Sequence, residues 1–287
     1  MFAVTTKQNL LEIGNDLIGG FNMNRRILSP EEIKEKLENH RHFLKKDCDG
    51  WETMMADFSS CCIRNFNFNN CDLTYAWFYD AWIEHCEFTN VKARYINFRQ
   101  VYLTSATFLN ICFYDSDFTD SVIHSSFCNC KFINCDMDYV DFKGSFFSNY
   151  EFIDSDLVGA ENVPYIPMVC PDEGSFIGWK KCLTTDQPIS CGIPKHDRLC
   201  LVKLRILEDS KRSSGAGRKC RCDKAEVISI EKFDGTKLQK AYSDYDKSFI
   251  YEVGKIVSVD NFNEDRFDEC SAGIHFFINK QEAINYR

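Results

Sequence analysis

Four cysteines fall within residues 61–86 (Cys61, Cys62, Cys71 and Cys86), in the stretch CCIRNFNFNNCDLTYAWFYDAWIEHCEF. Thiols at this density can ligate a metal, pair as disulfides or pack as small apolar side chains. Toward the C-terminus stand Cys170, Cys182, Cys191, Cys200, Cys220, Cys222 and Cys270, with His196 and His275. Zinc sites favour short paired cysteine spacings, and this tail has one Cys-x-Cys and no Cys-x-x-Cys. No metal and no cofactor is therefore expected. Cys270 and His275 could act as nucleophile and base, or Cys270 could be a structural thiol at a turn before a strand. A second chemistry is electrostatic. Asp115, Asp117, Asp120, Asp136, Asp138, Asp154 and Asp156 recur at near-regular intervals. KRSSGAGRKCRCDK (211–224) carries Lys211, Arg212, Arg218, Lys219 and Arg221 among Gly and Ser. That loop could take an anion or a nucleic acid, or be a solvated hairpin tip. Its glycine spacing matches no phosphate loop.

The totals limit these readings. The chain has 287 residues, 44% of them hydrophobic, enough for a sizeable core. No apolar run approaches the roughly 18 residues of a membrane helix. The N-terminal stretch lacks a basic region ahead of its short apolar run, so no secretion signal is read. The sixteen cysteines then imply reduced thiols and a cytoplasmic setting. The net charge of −9 lies wholly in residues 51–160, which hold six basic and fifteen acidic side chains. A neutral head and tail flank an acidic body.

What positions the residues of that body is a five-residue period. From Phe58 a large apolar side chain recurs through Ile63, Phe68, Leu73, Phe78 and onward to Ile123. The series slips by one near His124–Ser126 and resumes from Phe127 to Leu157, with Ala93 the weak member. Two residues before most centres the side chain is small, as at Cys61, Cys71, Ala76, Ala81 and Cys86. A helix would smear a five-residue mark around its cylinder, and a continuous strand would flip every second one outward. A chain that turns a corner every five residues fits. The units CDLTY (71–75), CEFTN (86–90), SDFTD (116–120) and CDMDY (135–139) resemble the pentapeptide-repeat family. The resemblance covers residues 56–159 and implies a right-handed, four-sided β-helix of about five coils, each about 4.8 Å high.

In that register residues twenty apart stack. Phe58, Phe78, Phe98 and Phe118 form one column, and Phe68, Phe88, Phe108, Phe127 and Phe147 the facing one. Cys61, Cys71 and Cys86 become inward packing residues, expected buried, reduced and metal-free, with Cys62 their outward neighbour. Asp117, Asp136 and Asp156 share one outward position, and Asp115 and Asp154 another, with Asn134 between. Trp82 and Tyr102 stack at a third, and Trp77 lies near it. Such columns are a solvated or sheet-stabilising surface, or a partner's docking site. SPEEIKEKLENHRHFLKK (29–46) reads as a capping helix with Ser29 as N-cap, Pro30 at its first position and Glu32 closing a capping box. Beyond three prolines at 164–171, strand-like runs read as a small α+β domain. That domain, particularly in YEVGKIV (251–257) and CSAGIHFF (270–277), resembles a C-terminal module of some phage and bacterial pentapeptide-repeat proteins.

The expected architecture is therefore a mainly β chain: a helical cap (1–55), the β-helix (56–160) and a C-terminal α+β domain (161–287). The expected function is a non-enzymatic interaction protein whose acidic rod binds a protein partner. Family members that inhibit DNA topoisomerases imply an inhibitor or DNA mimic, though they are longer and symmetric. Self-association is open, no membrane is involved, and direct nucleic-acid binding is reserved for the 211–224 loop. The alternative makes the tail an enzyme or ligand-binding module around Cys270, His275 and Arg218, with the rod as scaffold.

Overall fold

The structure, a computed structural model, describes residues 25–184 and 198–286. Cys191 and His196 lie outside them. The five-residue period is set by the backbone: the residue two after each inward centre adopts a left-handed conformation. Twenty corners from Ser60 to Gly159 do so, and eleven of them are Asn or Asp. Those are the side chains that tolerate this region best after glycine, which explains the polar end of each repeat.

Between corners short strands pair in parallel with the coils above and below. β1 (Arg26–Ile27), β2 (Cys61–Arg64) and β3 (Trp82–Glu84) stack on one side. β4 (Glu87–Thr89) and β5 (Lys92–Arg94) lie on the next two. β6 (Tyr102–Leu109), β7 (Cys112–Tyr114), β8 (Val122–Ile133) and β9 (Phe146–Ile153) continue these ladders. The fourth side is held by single bridges: Asp57 with Trp77, Trp77 with Asn97, Asn97 with Asp117, Asp117 with Asp136, and Asp136 with Asp156. The slip is a local register shift in which β8 runs straight through a corner. Thr104 pairs with His124 and Thr107 with Ser126, so Ser105 and Ala106 face the single Ser125. The Ala106 amide donates to the buried Ser125 hydroxyl.

The core is a lattice of phenylalanines. Phe58, Phe78, Phe98 and Phe118 stack at 4.8, 4.8 and 5.1 Å. Phe68, Phe88, Phe108, Phe127 and Phe147 stack at 4.6, 4.6, 4.7 and 5.1 Å. The two columns touch edge to face, as at Phe58–Phe68, 5.9 Å. A third column, Phe113–Phe132–Phe152, joins them in the later coils.

Both ends of the rod are covered. α1 (Pro30–Lys45) has Ser29 as N-cap with the reciprocal Glu32 bond, and lays Ile33 and Leu37 on the first coil. The buried His40 ring accepts from the Ala56 amide through Nδ1 at 3.0 Å. The described residues cover the first coil incompletely, so the thiol expectation is corrected there. Cys86 is buried, but Cys61 and Cys71 are only half-buried, whereas the outward Cys62, paired with Ile27 of β1, is buried. The fifteen described cysteines are free thiols. At the far end Ile166, Ala216 and Phe267 pack on the last coil.

The tail is antiparallel. β10 (Phe176–Thr184), β11 (Leu199–Ile206) and β14 (Lys224–Lys232) form the centre of one sheet. β12 (Arg212–Ser214) and β13 (Cys220–Cys222) form a hairpin in a second sheet. β15 (Lys237–Leu238), β16 (Lys240–Tyr242), β17 (Ile250–Glu252) and β18 (Ile256–Ser258) complete the first sheet. β19 (Ile274–Phe276) joins the hairpin, and α2 (Lys280–Asn285) closes the chain. Gly178 on β10 lies against the buried Phe276 ring, where a Cβ would fall 2.5 Å from Cδ2. No described helix is long and apolar enough to cross a membrane.

Candidate docking face

The bridge-held side of the rod carries two characters along its length. On the early coils it is aromatic. Tyr75 and Tyr95 stack in parallel at 5.1 Å, beside Trp77 and Tyr79, and Trp77 is 46% exposed. On the later coils it is acidic. The ladder brings Asp117, Asp136 and Asp156 into register, each on an adjacent coil about 4.8 Å apart. Asp115, Asn134 and Asp154 occupy the neighbouring corner, where the Asn134 amide donates to Asp115. Asp120 pairs with Arg99 at 3.4 Å. Asp115, Asp117, Asp136, Asp138, Asp154 and Asp156 carry no ion pair with any described residue. Asp138 is pushed up to about 6, by its burial first and then by the charges of Asp156 and Asp136.

Trp82 and Tyr102 do stack, edge to face at 5.4 Å, but on the adjoining side and half-buried. Arg64 covers Trp82 at 5.7 Å and pairs with Glu84 at 2.9 Å. Trp77 and the carboxylates thus share one side of the rod, and Trp82 and Tyr102 belong to another.

The basic loop is exposed only at Lys211 and Arg218, and its other cations are half-buried or buried. Arg221 is 2% exposed. Its guanidinium donates to the carbonyls of Asn263, Ala272 and Asp265 at 3.0, 3.0 and 2.6 Å, and lies over Phe262. Arg212 donates to the carbonyls of Ser210, Gly174, Leu207 and Glu208. Lys211 pairs with Glu264 at 2.5 Å and Arg218 with Glu282 at 2.9 Å. The anion reading fails for Arg212 and Arg221, whose donors are taken by backbone. The hairpin's tip is buried in the joint between rod and tail. Ala216 accepts from the Asp154 amide at 3.3 Å, and the Gly217 amide donates to Glu269 at 2.7 Å. Side chains at Gly215 and Gly217 would meet the Glu269 carboxylate. Burial raises the Glu269 pKa, the nearby Asp156 and Asp154 adding to it.

Cys270 and His275 are not hydrogen-bonded to each other. His275 donates Nε2–H to the Glu269 carbonyl at 3.1 Å, and burial followed by Lys180, Lys219 and Arg221 holds it down to about 4. The exposed Cys270 sulfur is instead 3.3 Å from the Lys219 ammonium. Cys270, Lys219, Arg218, Asp154 and Asp156 line a groove of about 240 Å³ at the joint, and His275 is not among its walls.

Two family models match separate stretches of the chain. Pentapeptide-repeat models match residues 56–90 and 84–120, with eight copies. A family of unknown function, DUF5758, matches residues 166–283. No curated protein matches the chain. Among solved structures, HetL, a pentapeptide repeat protein involved in heterocyst differentiation regulation from Nostoc sp. strain PCC 7120, is 8% identical with a TM-score of 0.24. The match covers 42% of this chain and 90% of HetL. Rfr23 from the cyanobacterium Cyanothece 51142 is 12% identical with a TM-score of 0.20, over 37% and 83%. QnrB1, a plasmid-mediated fluoroquinolone resistance protein, is 16% identical with a TM-score of 0.16, over 37% and 60%. The chain is a pentapeptide-repeat protein with a C-terminal DUF5758 module.

Proposed function

We propose that this protein is a non-enzymatic binding module of a reducing compartment, and that the acidic, aromatic-flanked side of its rod docks a basic surface on a protein partner. The observation that carries the reading is the set of six carboxylates, spread over three successive coils, that make no ion pair with any described residue. Like charges held this close repel unless a cation or a basic group lies on them. The aromatic end adds an anchor of the kind that concentrates binding energy at interfaces. The six carboxylates over three coils give roughly one charge per 2.4 Å of axis, somewhat sparser than the one per ~1.7 Å of duplex DNA. The finer reading is thus mimicry of a short duplex segment, on the order of four base pairs, toward a protein that binds nucleic acid. The tail closes the rod's end, and Asp154 and Asp156 face it across the groove.

The test compares proteins retained at low salt from source-cell lysate by the full chain and by Asp117→Asn/Asp136→Asn/Asp156→Asn. The reading requires basic proteins that the triple variant loses and that short duplex DNA displaces. Retention of the same proteins by the triple variant overturns it, and retention insensitive to DNA removes the mimicry alone.

A further inference from the structure

The C-terminal end of α1 gathers a thiol, an imidazole and a carboxylate that the docking side does not use. Lys46 takes the left-handed conformation at the helix end (φ 54°), and its amide closes back on the His42 carbonyl. That reversal carries Asp47 and Cys48 back beside His42. One donor atom from each of the three lies within 4.8 Å of the other two. The His42 Nδ1 and Asp47 Oδ1 atoms are 2.6 Å apart. The Arg41 guanidinium reaches His42 Nε2 at 3.2 Å, and a guanidinium can only donate. Nε2 is therefore the acceptor, and Nδ1 carries the hydrogen that points at Asp47.

We propose that His42, Asp47 and Cys48 bind a zinc ion. Thiolate, imidazole and carboxylate in one cluster suit this borderline ion and not calcium or magnesium, which want oxygen alone. Zinc takes the place of the hydrogen between His42 and Asp47; the imidazole shifts to its Nε2–H tautomer and the Cys48 thiol releases one proton to solvent. Tetrahedral coordination wants donor atoms about 3.5 Å apart, so His42 and Asp47, now 2.6 Å apart, open by about 1 Å while the Cys48 sulfur, within 4.8 Å of both, draws in. The cluster sits on a surface turn, and Gly50 (φ 77°) is in the left-handed region at the next bend. Arg41 gives up His42 and keeps Glu38, which it already holds at 2.6 Å. Lys46 lies over the Trp51 ring at 4.8 Å. The last carbonyls of α1 add negative potential at this end. Three protein ligands leave the fourth position to water. Behind the thiol, Cys48 Sγ lies 3.7 Å from Met54 Sδ, so the ion pins the helix to the connection entering the first coil.

The test titrates Zn2+ and Co2+ into the full reduced chain in a Cys270→Ser background, which removes the exposed tail thiol. One ion per chain is expected, with a thiolate-to-cobalt charge-transfer band, about one proton released, and a zinc-dependent rise in melting temperature. Cys48→Ser and His42→Ala each weaken binding at least about tenfold and abolish the band and the thermal shift. All three residues lie at the surface or half-buried, and an unchanged circular-dichroism spectrum without metal confirms that the variants fold. No binding by the parent chain overturns the proposal, as does wild-type affinity in both variants.

Discussion

Replacing Asp138 by Asn should make this protein more stable at pH 8, although it removes a native side chain. Asp138 stands between Asp136 on its own coil and Asp156 on the next, and its carboxyl is raised from 3.8 to about 6. A folded pKa above the unfolded one means that the protonated form is favoured by folding. Stability from this group is therefore full below about pH 4 and lost as the pH rises through 6. Two units of pKa correspond to roughly 3 kcal/mol as an upper bound. Asp138 is only half-buried, so screening by solvent reduces this to about 1 kcal/mol. The Asn side chain keeps an oxygen for the Val158 amide, which now donates to Asp138 at 3.0 Å. In a chain of this size the gain amounts to a rise of about 2–4 °C in melting temperature. Thermal melts at pH 8 and pH 4 in low salt measure it, and the gain should disappear at pH 4. It should also shrink in 1 M salt, where the Debye length falls to about 3 Å. A variant that is neutral or less stable at pH 8 would refute the argument that these carboxylates strain the rod.

Three further substitutions test other parts of the structure. Phe108→Ala opens the middle of a five-ring column whose members are stacked 4.6 and 4.7 Å away. It should cost about 3–5 kcal/mol in urea unfolding. Gly178→Ala drives a Cβ into the buried Phe276 ring and should destabilise the tail by about 1–3 kcal/mol, seen as faster proteolysis there. His275 is held down to about 4, so its contribution is full above about pH 6.5 and lost as pH falls toward 4. His275→Gln should flatten the acid limb of the tail's stability profile over that window, as read by hydrogen exchange.

The rod was legible because its period repeats a single backbone event. Left-handed corners recur mostly at polar residues and inward centres mostly at large apolar ones, so local sequence carries the three-dimensional register. The slip at Ser125 was legible for the same reason: only deletion of a corner residue keeps Phe108 on Phe127. The tail offered strand-like runs but not their partners. Arg221 and Arg212 read as free cations because the carbonyls that hold them lie on other segments, for Arg221 more than forty residues away. The glycines of SSGAG read as a flexible tip, whereas they make room for Glu269 at the joint. His42, Asp47 and Cys48 were silent for a related reason. They straddle a helix end, and only the left-handed Lys46 turns the last two back toward the first.

The rod also shows how one geometry yields an inert surface and a reactive one. Every outward column places residues about 4.8 Å apart, so a column of like residues must satisfy itself or remain unsatisfied. At one corner Asn70, Asn90, Asn110, Asn129 and Asn149 form a continuous ladder, each amide donating to the oxygen of the Asn on the coil before it at 2.8–3.4 Å. An amide owns both donor and acceptor, so this column needs nothing from outside. At another corner Asp115 and Asp154 flank Asn134, whose amide serves Asp115. The Asp117–Asp136–Asp156 column has acceptors only, apart from the backbone amides of Thr119, Asp138 and Val158. A carboxylate column cannot close on itself as an amide column does. Asp138, beside this column, is the carboxyl on which that repulsion shows, and its replacement by Asn tests it. Such retained repulsion is what a docking surface needs: a basic partner supplies the donors and charge that the fold leaves out, and relieving the strain adds to its binding.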